Sequence, residues 1–406
     1  MLRSIKSNEL MRYSNLLFLI LWLNPMLIRS SIVWWGTVFL YLFLFIKCYG
    51  GRIKLDKNYT AWTASFAVLC LASILWAVSR NQVADVMKNM IIRLVMLYCI
   101  RSQIKNRKDM DEMLWVFLLS CVFNAVYLNV TFQTTKIQTS ISVISSRIGN
   151  EIWNSNTIGM MMAVASLLVF YFLRKQTSKK KRNFLFIVLV LFVLTAVRSG
   201  SRKAILIVAA GSSIYLFLTA KGKRIRTTLL LILGGLTAVY VLMEVPYFYD
   251  VIGWRLEGLL AKKTGVGTVD HSTLLRLQLI DNGLRVFRDN FMYGVGIDCV
   301  RFLNGSMIGE KLYAHNNYIE LLADLGILGT FIYYFGYLFI WKNLLKHLRG
   351  NDNLNTLFIT IMAILLPVEY GCVTYSDVMF QFLLMLIFTY ISITKQESVK
   401  TIRGEQ

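Results

Sequence analysis

Apolar residues in this chain arrive as long runs, not as the alternation of a half-buried strand. The runs cover approximately residues 15–30, 32–47, 59–78, 85–100, 112–132, 157–173, 184–198, 203–219, 227–244, 317–341, 354–372 and 376–394. Most approach the roughly 17–25 residues that a helix needs to cross a hydrocarbon core. Lipid offers backbone amides no partner, so each run must satisfy its own and be helical. A β-barrel would need short alternating segments instead, and these are absent. The pattern therefore predicts an all-α, polytopic integral membrane protein with about twelve transmembrane helices. Nine would lie in residues 1–244, a large loop in 245–316, and three helices with a tail in 317–406. The first run follows Arg3, Lys6 and Arg12, as in a signal peptide, but no small-residue cleavage site follows it. It reads as a retained first helix.

Composition agrees: 56% of residues are hydrophobic and only 16% charged. Five of the six cysteines sit in or beside apolar runs and none forms a CxxC pair, so neither a disulfide framework nor a zinc site is indicated. The net charge of +22 raises the question of nucleic acid. With the N-terminus inside, more than half of the 44 Lys and Arg residues fall in segments that face the cytoplasm. The basicity thus orients the chain against anionic lipid, with both termini cytoplasmic, and is no nucleic-acid patch. The same count puts residues 245–314 and the shorter polar segment 133–156 outside. Within the first, apolar residues at Leu274, Leu277, Ile280, Leu284 and Phe287 predict an amphipathic helix with Ser272 as its N-cap.

Three places could carry chemistry. Arg198, Arg202 and Lys203 crowd a short loop at the outer ends of two spans. They read either as snorkelling cations or as a diphosphate clamp, in which guanidinium forks take phosphate oxygens and Gly200 lets amides approach. Arg198 and Arg202 would share one face if the helix ran through. Arg93 sits mid-span, where an isolated charge is costly, so it either pairs with an acid or contacts substrate. His315 stands where the large loop enters a span, and Asn316, Glu320 and Asp324 continue as a polar stripe down that helix. A metal site there is disfavoured: His315 and Glu320 are five apart and no second histidine is near.

Four stretches together, GNEIWNSNTIG, SGSRKA, DHSTLLRLQLIDNGLRVFRDNFMYGVGI and HNNYIELLADLGILG, resemble the bacterial O-antigen ligase/polymerase superfamily. The resemblance runs from about Gly149 to Thr330, with its motifs in the family's order. It implies a C-type glycosyltransferase fold, and with no convincing metal-ligand spacing and cations supplied as side chains the expected enzyme is metal-independent and without cofactor. Its donor would be an undecaprenyl-diphosphate-linked glycan, its acceptor a glycan or lipid, and its setting the outer side of the bacterial inner membrane. Arg202 and Arg276 match the family's diphosphate-binding arginines, and His315 matches the histidine that assists the acceptor hydroxyl. Arg198, Lys203, Arg93, Arg288, Asn156, Asn316 and Glu320 complete the candidate substrate contacts. Lys203 departs from the glycine common at its position, and Trp153-Asn-Ser-Asn156 from an Asn-Pro-Asn turn, which puts the role of Asn156 in doubt. Polymerisation of repeat units is the expected reaction, with O-antigen ligation as the alternative. A transporter or flippase, the less favoured alternative, would be expected to show a two-fold repeat, which is absent, and paired Gly/Pro breaks, which few spans carry.

Overall fold

The computed structural model describes residues 2–134, 148–149, 153–220, 222–246, 249, 253, 271–348 and 352–403. Among them every regular element is a helix. The chain forms two compact units.

The first unit takes in Met1–Gly51, Asp111–Val269 and His347–Ile364. Its helices are α1 (Leu2–Trp22), α2 (Ser31–Tyr49), most of α5 (Arg107–Thr134), α6 (Ser155–Lys175), α7 (Lys179–Arg198), α8 (Arg202–Thr219) and α9 (Arg224–Glu244). The second unit takes in Arg52–Met110, Asp270–Lys346 and Leu365–Gln406. It holds α3 (Lys57–Ala72), α4 (Arg80–Gln103), α10 (His271–Asp289), α11 (Val300–Ile308), α12 (Asn317–Lys346) and α14 (Val378–Arg403). Helix α13 (Asn353–Glu369) begins in the first unit and ends in the second.

Each predicted run falls on a helix, yet among the described residues eight helices are long and apolar enough to cross a membrane: α2, α3, α5, α6, α8, α9, α12 and α14. The others fall short for visible reasons. α4 carries Arg80, Asp85, Lys88 and Arg93, α7 opens on Lys179–Arg182, and α13 has 17 residues. Of the large loop, 247–248, 250–252 and 254–270 lie outside the described residues, as does most of 133–156.

In the first unit α6 forms the centre, with nearly all of Ile158–Phe172 buried. Polar pairs tie its neighbours together where lipid offers no partner. Asn24 donates to Asn124 at 2.9 Å, and Tyr41 to Asn15 at 2.7 Å. Helix α9 is the opposite case: only Leu242 is buried, so its sides are left for lipid.

In the second unit α12 is two helices joined by a break at Gly326, whose φ of 64° and ψ of −165° no helix contains. The carbonyls freed by the break are taken up by the loop after α10. Val295 N–H donates to Ala323 O at 3.0 Å and Gly296 N–H to Asp324 O at 2.8 Å. In return Ile327 N–H reaches Phe291 O at 2.9 Å. Two backbones lie in direct contact here. A Cβ on Gly294 would fall 2.5 Å from Leu325 N, and one on Gly326 2.5 Å from Met292 C. Both glycines also have positive φ, so two independent steric reasons fix their identity.

Helix α10 differs from expectation in two ways. It begins at His271, so Ser272 lies within its first turn and not ahead of it. Its buried side is Leu279, Asn282, Gly283 and Val286, while Leu274 and Leu277 are exposed. Gly283 is the cause: a Cβ there would strike the Ile319 side chain, so the helix approaches α12 along its small-residue side.

Candidate functional site

The predicted residues divide between the units. Asn156, Arg198, Arg202 and Lys203 lie in the first; Arg93, Arg276, Arg288, His315, Asn316 and Glu320 lie in the second.

In the first unit α7 stops at Arg198 and α8 restarts at Arg202, so these two arginines do not share one helical face. The Ser199-Gly200-Ser201 turn between them is internally satisfied. Gly200, at φ 60°, donates its N–H to Val197 O at 2.8 Å, and Ser199 Oγ donates to Ala196 O at 2.6 Å. Ser201 caps α8 by accepting from Ala204 N–H. The Gly200 amide is therefore spent on closing α7. Arg198 is also partly committed: its Nη1 donates to the Asn129 side chain, and its carbonyl accepts from Ile148 N–H at 3.0 Å. Asn129 is itself held by donation to Thr195 Oγ1 at 2.7 Å. Arg202 and Lys203 open α8 with their side chains partly accessible. Asn156 belongs to the same neighbourhood, since one turn on, Gly159 packs against the serine turn. A Cβ at Gly159 would meet those of Ser201 and Ala204 at 2.9 Å. Two motifs distant in sequence thus meet through a single glycine.

In the second unit the polar stripe of α12 does structural work. Asn316 caps the helix, its Oδ1 accepting from Tyr318 and Ile319 N–H at 3.0 and 3.2 Å. Asn317 Oδ1 accepts from the Thr374 and Tyr375 amides, and its Nδ2 donates to Tyr334, which donates to the buried Glu369. Asp324 is fully buried and accepts from three successive amides, those of Asp298, Cys299 and Val300, at 2.6, 3.0 and 2.8 Å. Both its oxygens are thereby committed to starting α11, where the free amides and the helix dipole favour a carboxylate. Glu320 is also fully buried. One oxygen accepts from Ala314 N–H at 2.5 Å, and the other has no hydrogen-bond partner. That bond pins the residue before His315.

His315 itself adopts φ 54°, a left-handed conformation uncommon outside glycine and asparagine. Its ring lies 4.0 Å from that of Tyr313, tilted by 47°. Burial raises the Tyr313 phenol above its ordinary value, and the Glu320 carboxylate adds to this. Arg276 of α10 and Arg301 of α11 act on the same phenol in the opposite sense, so both guanidinium groups belong to the surroundings of this turn. Arg288 does not: at about 1.5 Å per residue it stands roughly 18 Å along α10 from Arg276. Arg93 lies within electrostatic reach of Asp377, Tyr375 and Tyr59, which fits the acid-paired reading of that residue.

Arg301 is the residue that sequence reasoning missed. Its only signal is the Asp298-Cys-Val-Arg301 spacing at a helix start. The Asp298 carboxylate, itself pushed up by burial, accepts from Arg301 Nε at 2.9 Å and from Nη2, and from Gln82 Nε2 at 2.5 Å. Among the described residues no three His, Cys, Asp or Glu side chains converge as metal ligands would.

Residues 187–334 match a family model described as O-antigen ligase. No curated protein matches the chain. The matched stretch contains the serine–arginine turn, α10 with Arg276 and the His315 turn, three of the four motifs that carried the resemblance. That match supports the resemblance of this chain to the O-antigen ligase/polymerase superfamily.

Proposed function

We propose that the chain is an inner-membrane glycosyltransferase that polymerises undecaprenyl-diphosphate-linked repeat units into a surface polysaccharide on the outer side of the membrane. The observation that supports the membrane glycosyltransferase part of this reading is the family match over 187–334, which spans Arg202, Arg276 and His315. The acceptor hydroxyl attacks the anomeric carbon of the donor sugar, and the bond to the diphosphate breaks with its electron pair passing to the phosphate oxygen. One-step attack inverts the anomeric centre. Arg202 and Arg276 stabilise the charge that grows on the departing diphosphate, more in the transition state than before it. His315, of a residue type that titrates near neutrality, accepts the hydroxyl proton.

The ligase reading has one observation in its favour, the description of the family itself. Deleting the gene and sizing the surface glycan separates the two. Loss of a polymerase leaves single repeat units on their normal anchor. Loss of a ligase leaves long chains stranded on the lipid carrier, and that result would overturn the polymerase reading.

A further inference from the structure

The second unit devotes an unusual amount of structure to one arginine that the proposed mechanism does not use. Asp298 has φ 57°, its N–H is held by Asp324, and one carboxylate oxygen is taken by Gln82. Its other oxygen takes Nε and Nη2 of Arg301 along a single edge of the guanidinium. The Arg301 side chain cannot swing without breaking both of its hydrogen bonds to Asp298. Its opposite edge is different. Nη1 donates no hydrogen bond to any described residue, and about a third of the side chain is open at 31% exposure. The guanidinium carbon lies 6.0 Å from the centre of the Tyr313 ring, and Tyr313 packs on His315. Arg276 acts on the same tyrosine. An arginine fixed along one edge and open along the other is a prepaid two-point donor, because the entropy of placing it has been spent in folding.

We infer that Arg301 is a further substrate-binding residue, which takes a phosphate or carboxylate oxygen of the glycan substrate beside His315, with Asp298 as its positioning residue. Asp298 balances the charge of the pair, so Arg301 contributes directed donors more than net attraction. That favours a planar or tetrahedral oxyanion met edge-on over a diffuse cloud of counterions. Two sources share this chemistry, the diphosphate of the lipid-linked donor and an acidic sugar of either glycan. The inference rests on the glycosyltransferase reading only for naming those sources.

The test is calorimetric titration of the purified full chain in detergent with inorganic pyrophosphate and, separately, with glucuronate. Arg301→Gln should weaken one of the two at least tenfold while the melting temperature without ligand stays near that of the parent. Loss of pyrophosphate binding assigns Arg301 to the donor diphosphate; loss of glucuronate binding assigns it to an acidic sugar. The double variant Asp298→Asn/Arg301→Gln removes the ion pair as a unit and guards against a folding artefact; it should lose the same ligand. Unchanged affinity for both ligands in either folded variant overturns the inference, as does a parent protein that binds neither. Binding is measured without turnover, so a chain that binds pyrophosphate through Arg301 yet transfers no glycan would sink the proposed function and leave this inference standing.

Discussion

At the scale of the residue, the left-handed backbone of His315 offers a way to separate chemistry from folding. Asparagine accepts such a φ with little strain, whereas alanine does not. His315→Asn should therefore keep membrane abundance near wild type and still lower transfer about 10²-fold or more, the range expected for losing a general base. Near-normal transfer by His315→Asn would remove the histidine from the chemistry. The arginines of the first unit separate in the same manner. Arg202→Ala should abolish transfer with little change in abundance. Arg198→Ala should lower abundance, because Asn129 and Thr195 then lose the cation that completes their half-buried chain. Asp324→Ala is predicted to be the most destabilising of these changes. It orphans three amides at roughly 1–3 kcal/mol each, visible as a fall in melting temperature.

At the scale of the element, Gly294→Ala and Gly326→Ala should each deplete the folded protein from the membrane, since each Cβ would enter the backbone of the other strand of contact. Pulse-labelled abundance checks this, and normal levels in both variants would contradict the main-chain packing described for this pair. How far the elements were legible follows from the same contacts. The apolar runs located the helices because in lipid a run of that length has no other solution. The face of α10 was not legible. Its stripe of Leu274, Leu277, Ile280, Leu284 and Phe287 obeys helical spacing, yet the helix packs through Leu279, Asn282, Gly283 and Val286. Near a membrane an apolar stripe can face lipid as readily as protein, and small residues mark the protein side. The role of Asp324 was hidden for a related reason. The three amides it holds lie 24 to 26 residues upstream, in a loop whose path no local pattern reveals. Arg301 escaped notice because its value derives from that same loop.

At the scale of the whole molecule, the bias of Lys and Arg along the chain predicts an orientation. Reporter fusions at Lys180 and Lys346 should read cytoplasmic and a fusion at Lys311 exported. A cytoplasmic Lys311 would put His315 on the wrong side for an exported glycan. The cations proposed to steady the leaving group are side chains, so transfer by the purified chain should survive exhaustive chelation. Loss with EDTA and rescue by a divalent ion would reopen the acidic stripe of α12 as a metal site.

The junction of residues 291–296 with 323–328 has a consequence for how such an enzyme could diversify. Its fastenings are main-chain hydrogen bonds, two glycines and a carboxylate that grips amides alone. A mount of that kind makes no use of the exposed side chains on the segment it holds, those of Ser306, Met307, Glu310 and Lys311. The stretch can then vary as a replaceable cartridge, trading sugar preference without renegotiating the scaffold. Chimaeras cut inside the glycine frame are the natural place to begin retargeting the glycan.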